Sequence, residues 1–370
     1  MRGKLFAEVF GIVDSIIPKR TALVNLLSVV LEKRAMIATD LDTVVKVSFN
    51  EDYLSDTMIV KRDSLKPILS EIGKTREVVI KDNQISIDNA SQLLETIPLD
   101  QYPVYDDLTD MNKEEEWRLL FDTNDIYFTK ILLDRLISMA KAISPEEYRP
   151  GLRGYIFDPE GTFIYTTDGH MLFGTDYKSV ANNIWTGDNL DSFTMTDISK
   201  VLKKAKNVKT IKVEDISKWV RVTIYCDYYT IEITARKKED TMAAKTIRKI
   251  IPVERGANTL QLTASVIDRL MSIFGKTKMK GVRFNKVGNE IECSDISKGI
   301  ATVFKFTDEY SNFEEVGYNI TFLKAITDFY ACDLLELNFK DTQSAARANI
   351  FDNDDIAIVM PVRLPKTEAV

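Results

Sequence analysis

Cysteine and histidine are scarce in this chain, whose 370 residues include three of the first and one of the second. Cys226, Cys293 and Cys332 stand at spacings that suit neither a disulfide framework nor a zinc site, so a reducing cytoplasm is the expected compartment. No apolar run approaches the roughly 20 residues needed to cross a bilayer, and no membrane partner is expected. The N-terminus, Met1-Arg2-Gly3-Lys4-Leu5-Phe6, runs directly into an amphipathic pattern interrupted by Glu8 and Asp14, so no signal peptide is expected. A Gly-x-Ser-x-Gly elbow, a cysteine-nucleophile motif and a phosphate loop are all missing. Neither a metal nor any other cofactor is expected, and no low-complexity tract is present.

What is present is a chain 45% hydrophobic, long enough for two or three domains that each bury a core. Its net charge of -7 argues against nucleic acid only if the charge is evenly spread. It is not. Between Lys61 and Arg76 lie Lys61, Arg62, Lys66, Lys74 and Arg76 against Asp63 and Glu71. Between Asp197 and Lys209 lie Lys200, Lys203, Lys204, Lys206 and Lys209 against Asp197 alone. An acidic protein with basic helices can turn one positive face to phosphates while the rest of its surface repels them. The plainer alternative is a pair of solvated lysine-rich helix faces.

A repeat organises the chain. Ile131-Leu132-Leu133-Asp134-Arg135-Leu136-Ile137-Ser138 and Ser265-Val266-Ile267-Asp268-Arg269-Leu270-Met271-Ser272 share Asp-Arg-Leu-apolar-Ser, with apolar residues at the spacing of an amphipathic helix. Each is followed by a glycine-led strand, Gly154-Tyr155-Ile156-Phe157 and Gly281-Val282-Arg283-Phe284, then by turns at Gly161 and at Gly288-Asn289. The N-terminal part follows the same plan, with a helix over Leu5–Ile17 and apolar segments over Leu26–Leu31 and Ala35–Val47. A second helix is expected in each unit, over Arg62–Ile72, Asp197–Lys206 and Ile320–Tyr330. Paired strands follow: Glu77–Ile80 with Gln84–Ile87, Val220–Cys226 with Tyr229–Ala235, and Leu334–Phe339 with Ile356–Val362. Linkers fall over Tyr105–Glu116 and Pro252–Ala257. The expected fold is α+β, three similar domains over 1–118, 119–252 and 253–370, each with two helices on antiparallel sheets.

Four motifs then resemble a known family. Thr166-Thr167-Asp168-Gly169-His170-Met171-Leu172 is similar to the middle-domain Ala-Thr-Asp-Gly-His-Arg-Leu signature of the bacterial beta-type DNA sliding clamp, the processivity subunit of DNA polymerase III. Val359-Met360-Pro361-Val362-Arg363-Leu364 resembles that family's terminal Val-Met-Pro-Met-Arg-Leu. Thr39-Asp40-Leu41-Asp42 and Ile97-Pro98-Leu99-Asp100-Gln101-Tyr102-Pro103 resemble first-domain landmarks, in order.

The resemblance implies a head-to-tail homodimer whose helices line a hole around duplex DNA. It also implies a hydrophobic cleft where peptides of the replicative polymerase, the clamp loader and other partners dock. Carried over to that cleft are Leu152, Thr167, Gly169, His170, Leu172, Val359, Met360, Pro361, Arg363 and Leu364. Met171 stands for an Arg, Val362 for a Met, Ile250 for a Val and Lys249 for an Arg, and Lys245 replaces a family proline. Asn319, Phe322 and Ser344 complete the set. The second helices of domains one and two would face the lumen, with Lys61, Arg62, Lys66, Lys74, Lys200, Lys203, Lys204 and Lys206 toward DNA. Lys19 and Arg20 would join them from the loop after the first helix, and Arg149 from the matching loop of domain two. Ile273 and Phe274 would meet a partner surface near Tyr102. The family's acidic strip is not reproduced, because Asp295–Thr302 includes Lys298 and no Glu.

Two rival readings remain. Asp168 beside the one histidine, His170, invites a reading as a general base with an orienting carboxylate, yet the sequence offers no partner for it and the residues better suit a tight turn in which Asp168 bonds backbone amides. A monomeric adaptor or decoy with the same fold would bind clamp-interaction peptides without forming a ring.

Overall fold

The computed structural model describes residues 2–50, 52–71, 77–87, 90–102, 117–185, 191–216, 218–238, 244–252, 256–296, 304–349 and 354–364. The first repeat begins with α1 (Gly3–Val13), which buries Phe6, Val9, Phe10, Ile12 and Val13. Strands β1 (Ser28–Glu32), β2 (Ala35–Thr39), β3 (Thr43–Phe49) and β4 (Met58–Lys61) lead to α2 (Arg62–Glu71). Then come β5 (Val78–Lys81), β6 (Gln84–Ile87), β7 (Ala90–Leu93) and β8 (Thr96–Ile97).

The second repeat runs through β9 (Arg118–Asp122), α3 (Ile126–Met139), β10 (Gly154–Asp158), β11 (Phe163–Thr167) and β12 (Met171–Asp176). It continues with β13 (Asn183–Ile184), β14 (Phe193–Thr196), α4 (Ser199–Leu202), β15 (Val208–Ile216), β16 (Trp219–Cys226), β17 (Tyr229–Lys238) and α5 (Ala244–Ile250). The third holds β18 (Asn258–Thr263), α6 (Ala264–Phe274), β19 (Gly281–Val287), β20 (Glu290–Asp295) and β21 (Phe304–Thr307). It ends with β22 (Glu315–Asn319), α7 (Ile320–Tyr330), β23 (Leu334–Phe339), β24 (Ala346–Asn349) and β25 (Ile356–Val359). The ladders of the sheets described below are antiparallel, and the class is α+β.

Two compact units emerge, with bounds other than those of the repeats. The first takes in Met1–Leu133, Val180–Leu190 and Met195–Lys238; the second takes in Asp134–Ser179, Asp191–Thr194 and Glu239–Val370. In the first unit a sheet runs β8-β4-β1-β2-β3-β17-β16-β15-β9-β13, continuous because β3 pairs with β17 from Thr43↔Ala235 to Phe49↔Tyr229. Alternation sets its inward face: Tyr229, Ile231, Ile233 and Ala235 are buried along β17 while the residues between them are less so. In the second unit a sheet runs β10-β11-β12-β25-β24-β23-β18. Smaller sheets, β5-β6-β7 in the first unit and β21-β20-β19-β22 in the second, have β5 and β7, and β21 and β22, as their edges among the described residues.

The apolar segment Ala35–Val47 forms two strands, because Asp40 Oδ1 accepts the amides of Asp42 (3.2 Å) and Thr43 (2.8 Å) and turns the chain at Leu41, φ +82°. Two expectations are corrected. The helix expected over Asp197–Lys206 is the short α4, capped at Lys203, and Asn207 then takes φ +52° before β15. The last strand ends at Val359, not Val362. Helix α5 was not foreseen, since in Ala-Lys-Thr-Ile-Arg-Lys-Ile only Ala244 and Ile247 are buried. Helix α7, by contrast, spans Ile320–Tyr330 as the pattern predicts, opened by Asn319 Oδ1 on the amide of Thr321 (2.9 Å) and closed by Ala331 at φ +50°. The linker expected over Tyr105–Glu116 lies outside the described residues, as do Lys74, Arg76 and Lys298.

Candidate functional site

The turn between β11 and β12 is built by side chains acting on backbone. Asp168 Oδ1 accepts the amides of His170 and Met171, each at 2.8 Å. Thr167 Oγ1 accepts the amide of Gly169 (3.1 Å) and donates to Met171 O (2.8 Å). Gly169 sits at φ +88°, where a Cβ is strained. Thr39, Asp40 and Leu41 make the same arrangement in the first repeat, with Thr39 Oγ1 bonded to Leu41 N (3.0 Å) and Thr43 O (2.9 Å) and no histidine following. Asp168 therefore does what Asp40 does. Its carboxylate is committed to a turn.

The turn is pinned to the C-terminal segment. β12 pairs with β25 from Met171↔Val359 to Gly174↔Ile356, and Met360 N donates to His170 O at 2.7 Å. Past the strand, Val362 N donates to Gly317 O (2.8 Å), and Leu364 lies so close to Gly317 that a Cβ there would meet Leu364 Cδ2 at 2.7 Å. The His170 ring stacks on Phe322 of α7, centroids 6.3 Å apart and planes 16° from parallel. Leu172, Ile156, Tyr165, Ile356 and Ile358 form a buried cluster with Ala244 and Ile247, against which Ile251 and Ala345 pack. Fully burying each aliphatic of this kind contributes about 1.5–3 kcal/mol. Arg248 reaches Asp158 Oδ1 (3.2 Å) and Glu160 Oε2 (2.7 Å), which fastens α5 to β10 and its following turn. Burial raises the Asp158 carboxyl above its usual range, opposed by the turn amide of Gly161 and by Arg248.

The cleft residues expected from the sequence thus come together in the second unit. Leu152, Thr167, Met171, Leu172 and Val359 are buried; Gly169, His170, Lys249, Ile250, Met360 and Arg363 are exposed; Asn319, Phe322, Ser344, Pro361, Val362 and Leu364 are half-buried. Apolar surface remains outward at Ile250, 55% exposed, and Met360, 39%. Sequence reasoning missed Ile247, Ile251 and Gly317. Arg149, expected toward DNA, is tied to the turn as well, since its Nη1 donates to Asp168 O (3.3 Å) while its Nε pairs with Glu146 (3.1 Å).

The basic residues divide by whether they have an anionic neighbour. Lys61 pairs with Glu95 (2.8 Å), Lys66 with Asp63 (3.6 Å) and Lys206 with Glu8 (3.5 Å). Arg62 forks onto Asp14, which holds its guanidinium pKa above the ordinary value. Lys19, Arg20, Lys200, Lys203 and Lys204 are exposed, and among the described residues they have no ion pair. Of the interface residues, Tyr102 is 4% exposed among Val30, Ile37, Val44 and Ile59, and Phe274 is 2% exposed; Ile273 is half-buried.

No protein-family model matches the sequence, and no curated protein does. Solved structures match over nearly the whole chain. A sliding clamp, DNA polymerase III subunit beta, from Bartonella birtlesii bound to griselimycin has TM-score 0.79 at 17% identity, covering 98% of this chain and 99% of that one. The fold is that of the bacterial beta sliding clamps. The DNA polymerase III beta subunit of Thermotoga maritima shares the clamp fold at TM-score 0.77 and 18% identity, 99% of each chain covered. The Bacillus subtilis clamp does so at 0.76 and 14%, covering 99% of this chain and 98% of that one. With the clamp fold goes the observation that, among the described residues, no helix is long and apolar enough to cross a membrane and no His, Cys, Asp and Glu cluster is placed to hold a metal.

Proposed function

We propose that this protein is a DNA sliding clamp, a non-enzymatic processivity factor. Two copies join head to tail around duplex DNA, and the second unit holds the replicative polymerase, the clamp loader and other partners by short apolar peptides. The observation that carries this reading is the assembly of the Asp168–Leu172 turn, the Met360–Leu364 segment, Phe322 and α5 into one surface, on a fold that covers solved clamps end to end.

That surface suits peptide capture. Ile250 and Met360 offer apolar area for Leu or Phe anchors, while His170 and Lys249 are exposed polar groups able to fix register. Ring closure finds support in the open edges of the small sheets, β7 in the first unit and β21 in the second among them, and in the half-buried apolar Ile273 of α6. Unpaired edges invite strand addition from another chain. Lys19, Arg20, Lys200, Lys203 and Lys204, without an ion pair among the described residues, supply charge for phosphates, whose recognition carries no sequence information and leaves the ring able to slide.

Binding of a Gln-Leu-x-Leu-Phe peptide, followed by fluorescence anisotropy, tests the site, and light scattering tests the ring. Micromolar binding with twice the chain mass is expected. A monomer that still binds peptide would make the protein an adaptor, and absence of peptide binding would place the partner site elsewhere.

A further inference from the structure

From Arg269 to Asn289 the chain carries Arg269, Lys276, Lys278, Lys280, Arg283 and Lys286 and no carboxylate, in a protein whose net charge is -7. Three of these cations are accounted for within the fold. Arg269 lies over the Phe304 ring at 4.6 Å, Arg283 pairs with Glu315 at 3.1 Å, and Lys286 pairs with Asp308 at 3.8 Å. Lys276, Lys278 and Lys280 are exposed and have no ion pair among the described residues.

All three lie in the connection from α6 to β19, residues 275–280. The matching connections after α1 and α3 are longer, residues 14–27 and 140–153, and carry Lys19, Arg20 and Arg149. The short one is held in shape. Thr277 N and Thr277 Oγ1 both donate to Phe274 O (3.0 and 2.9 Å), Lys280 N donates to Thr277 Oγ1 (3.1 Å), and Ile320 N donates to Lys280 O (2.9 Å). Alternate positions keep successive lysines within about 7 Å along the chain. Ile320 opens α7, whose first turn has no acidic residue, so the positive end of that helix adds to the same local field.

Exposed ammonium groups in a row, without a pocket of fixed polar partners, suit a long-range contact to a polyanion rather than capture of a small molecule. We infer that the 275–280 connection is a phosphate-contacting loop for duplex DNA, the third-repeat counterpart of the Lys19 and Arg20 loop. This rests on the clamp reading above.

The test is anisotropy of a labelled linear duplex over a series of salt concentrations, comparing the wild type with Lys276→Gln/Lys278→Gln/Lys280→Gln and with the triple Arg variant. The Gln variant should bind about tenfold or more weakly at low salt, with the log-log salt slope shallower by roughly 2 to 3, since each lost contact removes about 0.9. The Arg variant should keep the wild-type slope. Peptide binding and particle mass should be unchanged in both. An unaltered slope in the Gln variant overturns the inference. So does a fall to monomer mass, which would assign the lysines to a subunit contact. Failure of the wild type to bind duplex would instead overturn the clamp reading itself.

Discussion

Met360 donates its backbone amide to the carbonyl of His170 at 2.7 Å, tying the end of β25 to the turn that precedes β12. The two residues are remote in sequence, and the bond makes one surface of their side chains. Deleting Met360–Leu364 should therefore weaken peptide binding more than tenfold while leaving the particle mass unchanged, because the β12 and β25 ladder stops at Val359. Titration of the labelled peptide checks this. Wild-type affinity in the truncated protein would move the site away from the C-terminal segment.

The paired turns give opposite substitutions opposite effects. Gly169→Ala forces a Cβ into φ +88° and to 3.2 Å from Arg149 Nη1, and should cost about 1–2 kcal/mol. Leu41→Gly relieves a side chain at φ +82° and should be neutral or stabilising by up to about 1 kcal/mol. Urea denaturation of both variants measures the difference.

Asp215 is buried, which favours its neutral form, yet Arg118 (2.8 and 2.9 Å) and Lys237 (2.7 Å) hold its carboxyl below the ordinary value. A carboxylate with a depressed folded pKa adds stability that is present above its unfolded pKa of about 3.9 and is lost as pH falls through the folded value. Stability should thus be flat in this respect at neutral pH and fall below about pH 4. Asp215→Asn should lose roughly 3 kcal/mol at pH 7, because the carboxylate charge that Arg118 and Lys237 both contact is removed. Chemical denaturation across pH 3 to 7 tests both statements, and a variant as stable as wild type at pH 7 would refute the second.

Within the first unit, Lys200→Gln/Lys203→Gln/Lys204→Gln should reduce the salt slope of duplex binding, whereas Lys206→Gln should change it less, because Lys206 already pairs with Glu8. Arg62→Gln should lower stability through the loss of its fork onto Asp14. Equal slopes for the triple variant and wild type would remove α4 and its flank from the DNA surface.

Burial pushes the Cys226 thiol up to about 11 and the Cys293 thiol up to about 12. Neither forms appreciable thiolate at pH 7.5, so native protein should alkylate far more slowly than urea-unfolded protein. Mass spectrometry after a brief iodoacetamide pulse reads the contrast.

The sequence and the structure agree where local pattern decides. Helices α3, α6 and α7 repeat their apolar residues at helical spacing along most of their length, and the strand over Gln84–Ile87 alternates. Legibility fails where a single dihedral decides. Leu41 takes a positive φ without a glycine to announce the turn between β2 and β3, and α4 stops at Leu202 although the lysine-rich run continues. The candidate site was legible as motifs because Thr167, Asp168 and Gly169 must stand in that order to build their turn. The pairing of Met171 with Val359 was not, since register between distant strands follows from packing around Leu172, Ile247 and Ile358. Charge was visible in composition; which lysines spend it on Glu8, Asp63 or Glu95 depends on neighbours brought close only by folding.

Strands β7 and β21 are two different edges, one in each unit, so a contact between β7 of one copy and β21 of the next would be heterologous. Copies that joined through them would associate like links with distinct front and back couplings, so the same contact could repeat without limit. A dimer follows only if the second contact returns to the first copy. Substitutions that alter the angle between links, without touching either edge, would then turn a closed pair into an open filament. Ring size in such a protein is a matter of curvature as much as of affinity.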